Sequence, residues 1–153
     1  MSKPTNVFIL GDGGAGKTAL VSCLRGTPFP RSYLPTMGAE VHPYLIGDEN
    51  FRLFDFAGQE KFAAARTVAN MPECDLALIL YSGTSRIMQR NINRWARLVP
   101  NAPIKVIRTM SDCNPQKDPN EDHLHISCRT GSNIPDLVRF LSDFAYNDQP
   151  VNN

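Results

Sequence analysis

No apolar run in this 153-residue chain approaches the roughly 18 residues a membrane-spanning helix needs, and the polar start, Met1 to Asn6, contains Pro4. Neither a spanning helix nor a secretion signal is expected, so the chain should be soluble. Cysteine is sparse: Cys23, Cys74, Cys113 and Cys128 form no C-x-x-C pair, and none stands at metal-ligand spacing to His42, His123 or His125. Free thiols in a reducing compartment, cytoplasmic or nuclear, are expected, and the histidines are given no chemistry. Excess charge of either sign is also missing, since sixteen Lys and Arg face fifteen Asp and Glu, which removes any bulk argument for nucleic acid or a membrane surface. The start lacks Met-Gly and the end lacks cysteine, so no lipid anchor is expected. Repeats and low-complexity stretches are absent.

What is present is one domain's worth of chain with 42% hydrophobic residues, enough for a single core. Val7 to Leu10, Val41 to Ile46, Phe51 to Asp55, Leu76 to Tyr81, Ile104 to Thr109 and His123 to Ser127 read as six strands. Gly47-Asp48-Glu49-Asn50 joins the second and third as an antiparallel hairpin. Helical patterns cover Lys17 to Leu24, Arg86 to Leu98 and Ile134 to Phe144. Strands alternating with helices predict an α/β fold, a mostly parallel sheet with helices on both faces and ligands at the strands' carboxyl ends. From Met110 to Asp122 the alternation breaks: Pro115 and Pro119 and the scarcity of apolar residues predict a loop in place of a helix between strands five and six.

Gly11-Asp12-Gly13-Gly14-Ala15-Gly16-Lys17-Thr18 matches G-x-x-x-x-G-K-[ST] between the first strand and the first helix. Glycines let backbone N–H groups from Asp12 to Ala19 converge on phosphate oxygens, Lys17 adds positive charge, and the Thr18 hydroxyl can ligate Mg²⁺. Asp55, at the end of the third strand, is placed to hold Mg²⁺ through water, and the Gly58 N–H to meet a γ-phosphate. Thr36, in the loop from Pro28 to Gly38, supplies a hydroxyl for closure over metal and phosphate.

The phosphate loop, Tyr33-Leu34-Pro35-Thr36, Asp55 to Gln59 and Ile126-Ser127-Cys128 resemble the Ras-type small GTPases in order and spacing. Gly11 to Gly14, Gly38 to Pro43, Ala57 to Phe62 and Thr84-Ser85-Arg86 look most like the Ran branch, the nuclear-transport GTPases. The resemblance implies one P-loop G domain over 1–153, a GTP/GDP ligand with Mg²⁺, and slow intrinsic hydrolysis accelerated by an activating protein. It makes Lys17, Thr36 and Gln59 the catalytic set, with Gln59 orienting the attacking water. Partners of Ran type follow: transport receptors, an exchange factor and an activating protein, around a monomer.

The resemblance is weakest at the base. Where the family carries Asn-Lys-x-Asp, this chain has Thr109-Met110-Ser111-Asp112. Asp112 can still accept from the guanine N1–H and amine, and Phe29, Ser127, the Cys128 N–H and Arg129 align with the other base-contacting positions. Losing two contacts of about 1–2 kcal/mol each would weaken binding roughly 30- to 1000-fold. Thr109 and Met110 also read as ordinary strand-end packing residues. After the last helix no counterpart of the acidic tail of the Ran branch is expected, which puts partner steps that need such a tail in question.

Between Leu76 and Ser111 there is no acidic residue, while Arg86, Arg90, Arg94 and Arg97 recur on one helical stretch. This basic stripe reads as a solvated face or as a surface for an acidic protein, ahead of nucleic acid. Trp95 reads as core. Two functions compete: a GTP-hydrolysing switch, and a Ran-like decoy that occupies partners while binding nucleotide weakly. A P-loop kinase fits less well, because no substrate lid or acceptor site is visible.

Overall fold

The computed structural model describes residues 3–26, 32–34, 39–56, 61–114 and 122–147. In order these form β1 (Thr5–Gly11), α1 (Lys17–Arg25), β2 (Ser32–Leu34), β3 (Ala39–Ile46), β4 (Glu49–Asp55), α2 (Lys61–Val68), β5 (Leu76–Ser82), α3 (Arg86–Arg90), α4 (Ile92–Ala96), β6 (Ile104–Thr109), β7 (Leu124–His125) and α5 (Ile134–Asn147). One sheet runs β2-β3-β4-β1-β5-β6-β7. Pairing is parallel from β4 across β1, β5 and β6 to β7, and antiparallel where β3 meets β2 and β4.

The expected α/β architecture is present, with a seventh strand added. Three residues, Ser32 to Leu34, pair with Val41 to Ala39 at the open edge of β3. They are too few to show a period in sequence.

Period-two alternation builds a core on each face. Val7, Ile9, Phe51, Leu53, Leu76 and Leu78 pack with Leu20 and Leu24 of α1 and Leu137 and Leu141 of α5. Phe8, Leu10, Phe54, Ala77 and Ile79 point the other way, toward Ala64 of α2 and Trp95 of α4. No described helix is long and apolar enough to cross a membrane.

The stretch expected as one helix over 86–98 is two short ones. Ser85 caps α3 by accepting from the Met88 N–H at 3.2 Å. Asn91 then stands at φ −87°, ψ −3° between the two helices, ending one and opening the next, and Asn is poorly suited to the interior of a single continuous helix. Arg86, Arg90, Arg94 and Arg97 remain exposed, but the break divides their stripe. The last strand is two residues, shorter than the expected His123 to Ser127. Around the loop expected after β6, residues 111–113 form a turn, and residues 115–121, with the question of a helix there, lie outside the described residues.

Candidate functional site

The loop between β1 and α1 lies at the carboxyl ends of the parallel strands. Gly11 is required because a Cβ there would collide with the Leu80 carbonyl, and Gly16 caps α1 in the left-handed region at φ 94°. Lys17 is buried, and its Nζ donates to the carbonyls of Gly11 at 2.7 Å and Asp12 at 2.9 Å. Burial lowers its pKa, while the charges of Asp55 and Asp12 act in the opposite direction. The Thr18 hydroxyl donates to Asp55 Oδ2 at 2.8 Å across 37 residues of chain. A cationic amine, a hydroxyl and a carboxylate thus meet where the sequence places phosphate and metal.

The Asp12 side chain is held from the α3–α4 segment. Asn91 Nδ2 donates to its Oδ2 at 2.7 Å and Trp95 Nε1 to its Oδ1 at 2.8 Å. Trp95 is buried in the core as expected, and it also makes this polar contact, which the motif search missed. The only available signal was the i, i+4 spacing of Asn91 and Trp95, which puts them on one face without naming a partner.

Of the residues expected to read a base, the structure brings Asp112, Ser127 and Arg129 together and sets Thr109 against the loop before α1. Thr109 ends β6, buried, with its hydroxyl 2.7 Å from the Ala15 carbonyl and 3.2 Å from that of Tyr81. The hydroxyl therefore braces the phosphate loop. Met110 takes φ 57°, and its Sδ accepts from the Ser82 hydroxyl at 3.2 Å. Asp112 Oδ1 accepts from Ser127 Oγ at 2.8 Å, and Arg129 Nη1 lies 4.0 Å from Asp112 Oδ2. The Ser111 N–H donates to the Ile126 carbonyl at 3.0 Å, lacing the two base loops. Cys128 is half-buried, and burial, with Cys23 beside it, pushes its thiol up to about 12. Phe29, Thr36, Gly58 and Gln59 lie outside the described residues.

Glu40, His42 and Asp55 offer ligand atoms within 4.8 Å of one another, a spacing that invites a metal. The protonation pattern opposes one. Arg25 Nη1 lies 2.7 Å from His42 Nδ1, and a guanidinium can only donate, so Nδ1 accepts and Nε2 carries the proton. A ligating histidine needs the reverse arrangement. His42 Nε2 instead lies 3.3 Å from Glu40 Oε2, buried and without a hydrogen bond of good geometry.

Comparison with protein families gives a match of the Ras family model to residues 6–131, which spans β1 through the turn after Cys128.

Proposed function

Because the chain belongs to the Ras family, and is thus a small GTP-binding switch protein, we propose that it is a Ran-like member that hydrolyses GTP slowly. The observation that carries this reading is the meeting of Thr18 Oγ1 and Asp55 Oδ2 at 2.8 Å beside the buried Lys17 amine. Hydroxyl and carboxylate are hard oxygen donors of the kind Mg²⁺ prefers, so Thr18 would hold the ion directly and Asp55 through water, with Thr36 completing the set from the loop between Pro28 and Gly38. Bound there, Mg²⁺ neutralises charge on the β- and γ-phosphates. Lys17 exchanges its carbonyl partners for phosphate oxygens, the Gly58 N–H meets the γ-phosphate, and Gln59 orients the attacking water. Asp112, Ser127, Cys128 and Arg129, with Phe29, read the base.

Partner binding follows nucleotide state through switch I, the loop that carries Thr36, and switch II, the stretch from Phe56 to about Asn70. The exposed arginines 86, 90, 94 and 97 suit acidic transport-type receptors, and a soluble protein of the cytoplasm or nucleus is the setting that fits. Replacing Gln59 with Leu should slow single-turnover GTP hydrolysis without loss of GTP binding; unchanged hydrolysis would remove Gln59 from the reaction. Charge reversal at Arg90 and Arg94 should weaken receptor capture.

One observation favours the second reading, a Ran-like binding module with weak nucleotide affinity: the Thr109 hydroxyl is spent on Ala15 O where the family supplies a longer Asn. Base-selective binding separates the two.

A further inference from the structure

Side-chain hydrogen bonds from the α3–α4 segment reach the phosphate loop at the Asp12 carboxylate. Both oxygens of Asp12 are taken by neutral donors, Asn91 Nδ2 at 2.7 Å and Trp95 Nε1 at 2.8 Å, residues 79 and 83 positions away. The Asp12 backbone belongs to the opposite network: its carbonyl accepts from Lys17 Nζ at 2.9 Å and from the Ala15 N–H at 3.1 Å. One residue therefore ties the interior of the helix layer to the loop that carries Lys17. Three further contacts brace the loop, Thr109 Oγ1 on Ala15 O, the close approach of Gly11 to Leu80 O and Met88 of α3 beside Gly14, and Asp12 is where the hydrogen bonds of the α3–α4 segment arrive.

The chemistry of Asp12 makes the arrangement consequential. A carboxylate beside a phosphate site repels the ligand unless its charge is directed elsewhere. Hydrogen bonds to an ionised acceptor are short and strong, and here two of them hold the carboxylate toward α3 and α4. Without them the loop loses an anchor and the anion is released toward the phosphates. We propose that Asn91 and Trp95 are positioning residues for nucleotide binding, acting through Asp12 to hold the phosphate loop and to keep its carboxylate turned away from the ligand. The proposal rests on the phosphate-binding role of the loop given above.

The test uses the full chain with Asn91→Ala and Trp95→Phe. Trp95→Phe keeps an aromatic ring in the buried site and removes the indole N–H together with part of the ring's volume, so Asn91→Ala, which leaves the core untouched, is the companion variant. Amide hydrogen exchange is read at residues 12–18 and, as an internal control for folding, at α5, which packs on the opposite face of the sheet; GDP affinity is titrated in Mg²⁺. Each variant should exchange faster at 12–18 with α5 unchanged, and should bind GDP about tenfold more weakly, with the preference for GDP over ADP unaltered because the base is read elsewhere. The exchanged pair Asp12→Asn/Asn91→Asp restores a carboxylate–amide bond of reversed polarity and should bind GDP more tightly than Asn91→Asp alone. Trp95 is the chain's one tryptophan, so its emission in the unaltered protein should shift when Mg²⁺ and GDP are added. Unchanged exchange at 12–18 in both single variants overturns the proposal, as does undiminished GDP affinity in both. Where the unaltered protein itself binds no GDP, the switch reading falls and the nucleotide part of the proposal with it, and faster exchange at 12–18 then supports the hold on the loop alone.

Discussion

Thr109→Val isolates one hydroxyl in a buried site. Thr109 and Ala15 are both fully or nearly fully buried, and the 2.7 Å bond between Thr109 Oγ1 and Ala15 O is shorter than the 3.2 Å contact with Tyr81 O. Valine fills the same volume with a methyl group and leaves the Ala15 carbonyl facing it. An orphaned buried acceptor costs about 1–3 kcal/mol, so a loss of about 2 kcal/mol is expected, or about 4–8 °C in Tm for a chain of this size. Thr109→Ser is the control, since it keeps the hydroxyl and drops the methyl. Urea unfolding and thermal melts of the nucleotide-free protein read the difference. Serine should lie closer to the unaltered protein than valine does; equal losses for both would mean that methyl packing, not the brace on the phosphate loop, is what Thr109 supplies.

Three other outcomes follow from the same geometry. Thr109→Asn/Met110→Lys, which rebuilds the family's base motif, should tighten GTP binding roughly 30- to 1000-fold, and a titration showing no gain would mean that the present residues already read the base fully. Burial raises the Cys74 and Cys128 thiols from 9.0 to about 12, so the folded chain keeps protons that the unfolded chain releases. Stability is then complete below pH 9 and falls as pH rises from 9 toward 12, by at most about 1.4 kcal/mol per unit per thiol. Cys74→Ala should flatten that slope in urea unfolding at stepped pH. Gly83→Ala sets a Cβ 2.7 Å from Arg108 Cζ, where the guanidinium is buried and engaged by Asn114 O and His125; a loss of about 1–3 kcal/mol is expected, and an unchanged unfolding midpoint would contradict it.

The parts of the site that the sequence exposed are those whose information is local. Gly11 to Thr18 is a contiguous spacing of residue types that only phosphate chemistry demands, and Asp55 closes a strand whose alternation is plain, so their meeting through Thr18 needed only the parallel pairing of β1 with β4. The core was legible for a similar reason, because Val7 and Ile9 separate from Phe8 and Leu10 by period alone. What stayed hidden was set by contacts across the chain. The bonds of Asp12 to Asn91 and Trp95 depend on where α3 and α4 pack, and no pattern in either segment announces them. The break at Asn91 was invisible because the apolar spacing of Ile87, Ile92, Trp95 and Leu98 continues through it. Thr109 was placed correctly at the end of β6, but its attachment to Ala15 rather than to open space beside the base is a tertiary fact.

The central claim is that the loop and the base residues form a guanine-nucleotide site, and calorimetric titration of the nucleotide-free protein with GTP, GDP, ATP and XTP in Mg²⁺ tests it most directly. GTP and GDP binding far tighter than ATP or XTP is the result predicted, with Asp112 and its neighbours selecting the base. Weak binding, or binding indifferent to the base, would contradict the switch and leave the fold as a binding surface.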